Sequence, residues 1–138
     1  MYTHTQRGDV IILSAVLGGA VTFLSTLFLG PVTALLSTAL LVGILALFGS
    51  LTVTVDGDLI EARFGPGVIR FSWKQSEVVS AQPMTTPWYC GWGIRYTGSG
   101  WLFNVSGTES VELTLKGGEK VRIGTDDVEG LLAAIRAN

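Results

Sequence analysis

The sequence contains one cysteine, Cys90, and one histidine, His4, in 138 residues. A lone cysteine excludes a disulfide scaffold. One Cys and one His cannot provide the roughly four ligands of a structural zinc site. A Ser-His or Cys-His triad would have to recruit His4, which stands in an N-terminal segment that reads as mobile. Cys90 reads as an inert packing thiol, with lipidation as its rival use beside a membrane. Charge is also scarce: Lys, Arg, Asp and Glu make up 14% of the chain, against about 25% in an average soluble domain. The net charge of -2 disfavours nucleic acid as a partner. Disorder is excluded by an apolar content of 48%. No distinctive carboxylate pair, glycine-rich phosphate loop or metal constellation stands out. The expectation is therefore a non-enzyme with no catalytic residue, no metal and no cofactor.

The scarcity of charge is local. None of the 20 charged residues falls between Val10 and Val55, a stretch of 46 residues. The remaining residues carry all of them and are close to the soluble norm. The chain thus joins two unlike parts. A transmembrane helix needs roughly 20 apolar residues. Residues 10–29 supply one such run, Gly30-Pro31 interrupts it, and residues 32–50 supply another. Gly-Pro marks a turn, and Pro suits the first turn of a helix. This predicts a transmembrane hairpin with both ends on one side. One unbroken helix would run about 60 Å, twice the hydrocarbon core. A cleaved signal peptide has a shorter apolar region and leaves the second run unexplained.

Small residues recur at four-residue spacing: Ser14, Gly18 and Thr22, Ala15 with Gly19, and Ala39 with Gly43. Such faces let helices approach closely. They serve either the hairpin itself or a neighbouring membrane subunit. No charge lies inside the hairpin to form a proton relay or ion path, which disfavours a transporter acting alone. Arg7 precedes the hairpin, Arg63, Arg70 and Lys74 follow it, and its turn carries no charge. The positive-inside rule then places residues 1–9, a cytoplasmic N-terminal segment, and the C-terminal part on the cytoplasmic side. The expected location is the inner (cytoplasmic) membrane, as a multi-pass protein.

From Leu51 the apolar period changes to two. Alternating runs at Leu51–Val55, Ile60–Phe64, Ile69–Trp73, Trp92–Tyr96, Trp101–Val105 and Val111–Leu115 are separated by glycine-rich turns. Shorter runs at Val78-Val79 and Val121–Ile123 bring the total to seven or eight antiparallel strands. Residues 83–87 read as a loop. A helix over 126–137, capped by Thr125 or Asp126, presents Val128, Leu131, Leu132 and Ile135 on one face. The expected fold over 51–138 is α+β: a partly open antiparallel β-barrel closed by a C-terminal helix.

That order of elements resembles the bacterial membrane-attached form of the pleckstrin-homology-like domain. The resemblance rests on the hairpin Val55-Asp56-Gly57-Asp58 and the run Pro87-Trp88-Tyr89-Cys90-Gly91-Trp92-Gly93-Ile94-Arg95. Gly100-Trp101-Leu102-Phe103-Asn104-Val105-Ser106-Gly107 and Arg122-Ile123-Gly124-Thr125-Asp126 extend it. It covers Leu51 to Arg136 and implies a two-helix membrane protein with one such domain. An OB-type barrel is the rival fold, but it has five strands and no closing helix of this kind. In eukaryotic relatives the first hairpin loop carries phosphate-gripping cations. Here it is Asp56-Gly57-Asp58, which repels a polyanion. That lipid role is not carried over.

Four Trp residues lie in the C-terminal part. Trp73, Trp92 and Trp101 fit strand alternation and read as core. Trp88 and Tyr89 follow Pro87 in a predicted loop and are the candidate interaction residues, facing lipid headgroups or a neighbouring protein. Arg95, between aromatics, is a candidate ligand-binding or structural cation. Arg70 with Lys74, and Lys120 with Arg122, read as solvated strand faces. The sequence favours a membrane-anchored interaction or scaffolding module, an accessory subunit or a homo-oligomer. Its partners would be membrane lipids and a membrane protein or a second copy. The alternative is a lipid or small-ligand binding domain at the cytoplasmic surface.

Overall fold

A computed structural model describes residues 1–137. Two long helices lie in the N-terminal half: α1 (Asp9–Leu29) and α2 (Pro31–Phe48). Gly30 joins them at φ 84°, a left-handed conformation that suits glycine. Pro31 occupies the first turn of α2, where its missing N–H costs nothing. Both helices are long and apolar enough to cross a membrane, and neither is buried inside the chain. Their hydroxyls fold back onto the helix. Ser14, Thr22 and Ser37 donate to the carbonyls of Val10, Gly18 and Thr33 at 2.8, 2.8 and 2.6 Å. Little polar surface is left on the hairpin.

The strands form two sheets. The first contains β1 (Tyr2–Arg7), β2 (Ser50–Asp56), β3 (Leu59–Phe64) and β4 (Ile69–Lys74), paired in that order and antiparallel throughout. The second contains β5 (Val78–Thr85), β6 (Gly93–Tyr96), β7 (Trp101–Asn104), β8 (Glu109–Leu115) and β9 (Lys120–Gly124) in the order β5-β8-β9-β7-β6. Helix α3 (Val128–Arg136) follows. One core is shared by Val53, Ile60 and Phe64 of the first sheet, Val111, Leu113 and Ile123 of the second, and Leu131 and Ile135 of α3.

Several expectations need correction. His4 does not lie in a mobile tail. Residues 1–9 contain β1, paired with β2 from Tyr2↔Val55 to Arg7↔Ser50. The chain therefore leaves a sheet, makes the helical hairpin and returns to the same sheet. The sheets stay open, in keeping with the partly open arrangement expected, but the pairing is not antiparallel throughout: β7 pairs with β9 in parallel. Aromatic side chains link the edge strand β4 to β7 of the second sheet. Phe71 and Trp73 pack on Phe103 with ring centroids 4.7 and 5.4 Å apart. Pro83 sits within β5, not in a loop. It is tolerated there because β5 is an edge strand. Helix α3 begins later than expected and is capped by Asp127, which accepts from the Gly130 N–H at 3.0 Å.

The hairpin is clamped to the sheets. The Gly8 N–H donates to the Gly49 carbonyl at 2.8 Å, which ties the start of α1 to the end of α2. A side chain at Gly8 would meet the Phe48 carbonyl oxygen at 2.9 Å. Gly65, in the β3–β4 turn at φ 51°, lies so close to α2 that a side chain there would collide with the Ala46 carbonyl oxygen. Phe48 packs edge-on against the buried Phe64, with centroids 5.5 Å apart. Ile11 of α1 also packs against the core.

Candidate binding groove at the base of the hairpin

Where the hairpin meets the second sheet, the molecule has a groove of about 730 Å³. Val10, Ile11, Ser14 and Ala15 of α1 line it, opposite Leu41, Ile44 and Phe48 of α2. Trp92 to Arg95 form the third wall. The lining is chiefly apolar, and its volume falls within the roughly 300–1,000 Å³ of ordinary ligand pockets.

Arg95 brings charge to this groove. Its Nε donates to the Trp92 carbonyl at 3.2 Å. Its guanidinium lies over Gly91, where a Cβ would stand 3.0 Å from the guanidinium carbon. Gly91 thus lets the cation lie flat, and its own φ of 75° favours glycine as well. Among the described residues no carboxylate comes within 4 Å of Arg95. Trp92 is held by its Nε1, which donates to the Gly107 carbonyl at 3.2 Å.

Trp88 and Tyr89 occupy a 3-10 turn (Trp88–Cys90) that leads directly into this wall. They are 72% and 73% exposed and touch each other edge to face, with centroids 6.2 Å apart. They are therefore surface residues, while Trp92 is a wall residue and not core. Trp101 also departs from the core reading: it is 41% exposed and packs on Tyr96. Trp73 does pack against the core.

The small residues of the hairpin divide into two groups. Gly18 faces Leu41, where a Cβ would meet a leucine methyl at 3.3 Å, and Ala15 is buried. Thr22 is half-buried with its hydroxyl turned to Gly18. These three serve the hairpin itself. Gly19 and Gly43 face open space, Ala39 is exposed, and Ser14 is exposed on the groove wall.

The remaining cations also divide. Lys120 and Arg122 are engaged by Glu112 at 3.2 and 2.8 Å, and Gln82 donates to the same carboxylate at 3.3 Å. Burial pushes the Glu112 carboxyl up, but the bonds from Arg122, Lys120 and Gln82 outweigh burial and hold it below the usual carboxylate range. Arg122 is largely covered and Lys120 stays half-exposed, and both are paired with the Glu112 carboxylate. Arg63 and Arg70 differ. They stand directly opposite each other on β3 and β4, one position from the turn that touches α2. Arg70 donates to the Gly67 carbonyl, and among the described residues neither arginine has a carboxylate within 4 Å. The acidic hairpin Asp56–Asp58 lies at the far end of the same sheet, where Asp58 accepts from Ser76.

Periodicity along single elements could not reveal the groove, because its walls come from three separate elements. The chain order did contain a hint: Arg95 ends the Trp-rich run that follows Pro87. His4, without a visible partner in the sequence, meets Asp126 through its Nε2. A second hollow, of about 770 Å³, is lined by Glu109, Asp126 and Glu129 among others. Its acids are partly engaged, since Asp127 caps α3 and Asp126 holds His4. Neither a protein-family model nor a curated relative matches this chain.

Proposed function

We propose that the chain is a membrane-anchored binding module of the two-helix, pleckstrin-homology-like kind, acting as an accessory or scaffolding subunit and not as an enzyme. The carrying observation is the clamp between Phe48 and Phe64, reinforced by the close approach of Gly65 to α2. It fixes the sheets against the end of the hairpin, so they would sit at one angle to a bilayer. The basic residues nearest the hairpin, Arg7, Arg63, Arg70 and Arg95, favour a cytoplasmic face by the positive-inside rule. We place the protein in the inner membrane of a bacterium with both termini inside.

In this reading Trp88 and Tyr89 present a rigid aromatic contact, and Gly19, Ala39 and Gly43 leave a close-packing helix face for a membrane protein or a second copy. Purification of the full chain in mild detergent tests it. A stoichiometric partner or a homo-oligomer is expected, and Gly19→Leu or the double change Trp88→Ala, Tyr89→Ala should weaken its recovery. A lone monomer in every detergent would sink the proposal.

A second reading, lipid binding at the membrane surface, is favoured by one observation. The groove places an apolar floor beside a cation that no carboxylate neutralises among the described residues.

A further inference from the structure

We infer that the groove between the hairpin and β6 holds one anionic phospholipid, with an acyl chain against α1 and α2 and its phosphate on Arg95. The inference deepens the lipid-binding reading and rests on the hairpin spanning a bilayer. Its ligand is distinct from a phosphoinositide gripped by the first hairpin loop, because that loop here is Asp56-Gly57-Asp58.

Three features select this occupant. The floor is formed by the first two turns of α1 and the last two of α2, so it lies at the depth where an acyl chain meets its headgroup. Apolar side chains such as Ile11 and Ile44 line it, with Ser14 as an exposed polar member whose hydroxyl is already bonded to Val10. Water gains little there, and a hydrocarbon chain is the complementary filler. Arg95 then supplies charge at one end. Its Nε is used by Trp92, which leaves the terminal nitrogens for an oxyanion. Trp88, Tyr89 and Trp92 stand on the same stretch of chain, and such side chains settle at the headgroup level.

A peptide partner fits less well, because the charge is single and terminal and the floor faces the hydrocarbon side. A free phosphate ester would use Arg95 but leave the apolar floor empty.

Native mass spectrometry of the full chain, equilibrated with equal phosphatidylglycerol and phosphatidylcholine, provides the test. We expect one retained lipid per chain, with phosphatidylglycerol preferred about five-fold, the weight of one arginine near an anionic surface. Arg95→Gln should abolish the preference, and Arg95→Lys should restore part of it. Ser14→Phe, a change on an exposed groove position, should displace both lipids. Equal preference in wild type and Arg95→Gln overturns the assignment while leaving the membrane anchor intact. Competition by glycerol phosphate alone overturns it in favour of a small-anion site. Dissociation of a dimer by Ser14→Phe without loss of lipid overturns it in favour of a second copy. Release of the protein from membranes by alkaline carbonate would instead remove the anchoring on which the inference rests.

Discussion

Phe48, the last residue of α2, packs edge-on against Phe64, which is wholly buried in the core of the sheets. Hairpin and core therefore share a packing unit. Phe48→Ala should destabilise the folded chain by about 2–3 kcal/mol, somewhat below the range for a fully buried phenylalanine. Gly65→Ala adds a side chain at positive φ against an immovable helix carbonyl. Both variants should expose the Gly49-Ser50 junction to limited proteolysis in detergent. Unchanged cleavage would show that the clamp does not hold the two parts together.

Arg63 and Arg70 face each other across antiparallel strands, an arrangement that costs stability when both are charged. Arg63→Gln should raise the thermal stability by about 0.5 kcal/mol at low salt. The gain should shrink as salt screens the pair. Thermal melts in a neutral detergent across a salt series test this. A variant less stable than wild type at every salt concentration would mean that the arginine stem contributes more by packing than the charge costs.

Glu112 is fully buried beneath Lys120 and Arg122. Its folded pKa lies below its ordinary 4.5. The ionised carboxylate therefore contributes stability that is complete above that value and is lost as pH falls through the depressed folded pKa. Glu112→Gln should cost about 3 kcal/mol at neutral pH, because two cations lose their anion. It should also flatten the acid limb of the stability curve below pH 4.5. Identical acid limbs in wild type and variant would assign acid unfolding to other groups.

The Tyr2 hydroxyl donates to Asp127 at 3.0 Å and thereby ties β1 to the start of α3. Burial raises the phenol pKa well above its ordinary 10.0, and Asp127 raises it further. The phenol therefore contributes stability that is complete below pH 10.0 and lost as pH rises toward the folded value. Tyr2→Phe should lower stability by about 1 kcal/mol at neutral pH. The difference between the two proteins should narrow in alkali. Chemical denaturation at neutral and alkaline pH gives both numbers, and a constant difference would contradict the role of this bond.

The hairpin and most strands were legible in the sequence because each follows a local period. The Gly30-Pro31 break marks the turn between α1 and α2, and the alternating sets at Ile60–Phe64 and Ile69–Trp73 became β3 and β4. What stayed hidden was non-local. Tyr2–Arg7 has too little apolar content to read as a strand, and its pairing with β2 needs a partner more than forty residues away. The parallel pairing of β7 with β9 and the packing of Phe71 and Trp73 on Phe103 of the other sheet are likewise non-local. At the candidate site, Arg95 and the Trp88–Tyr89 turn could be singled out by composition. The groove beside them required knowing where α1 and α2 come to rest.

The position of the hairpin between β1 and β2 has a consequence for biosynthesis. At roughly 5–20 residues per second, the first strand leaves the ribosome several seconds before its partner exists. In the proposed membrane arrangement it would wait, unpaired, through that interval while the apolar helices insert. The Arg7↔Ser50 end of the ladder can then form only if both helices have returned to the starting side. In that arrangement, completion of the first sheet would act as a proofreading step. A chain inserted with one helix too few across the bilayer would leave β1 and β2 on opposite sides, unfolded and open to degradation.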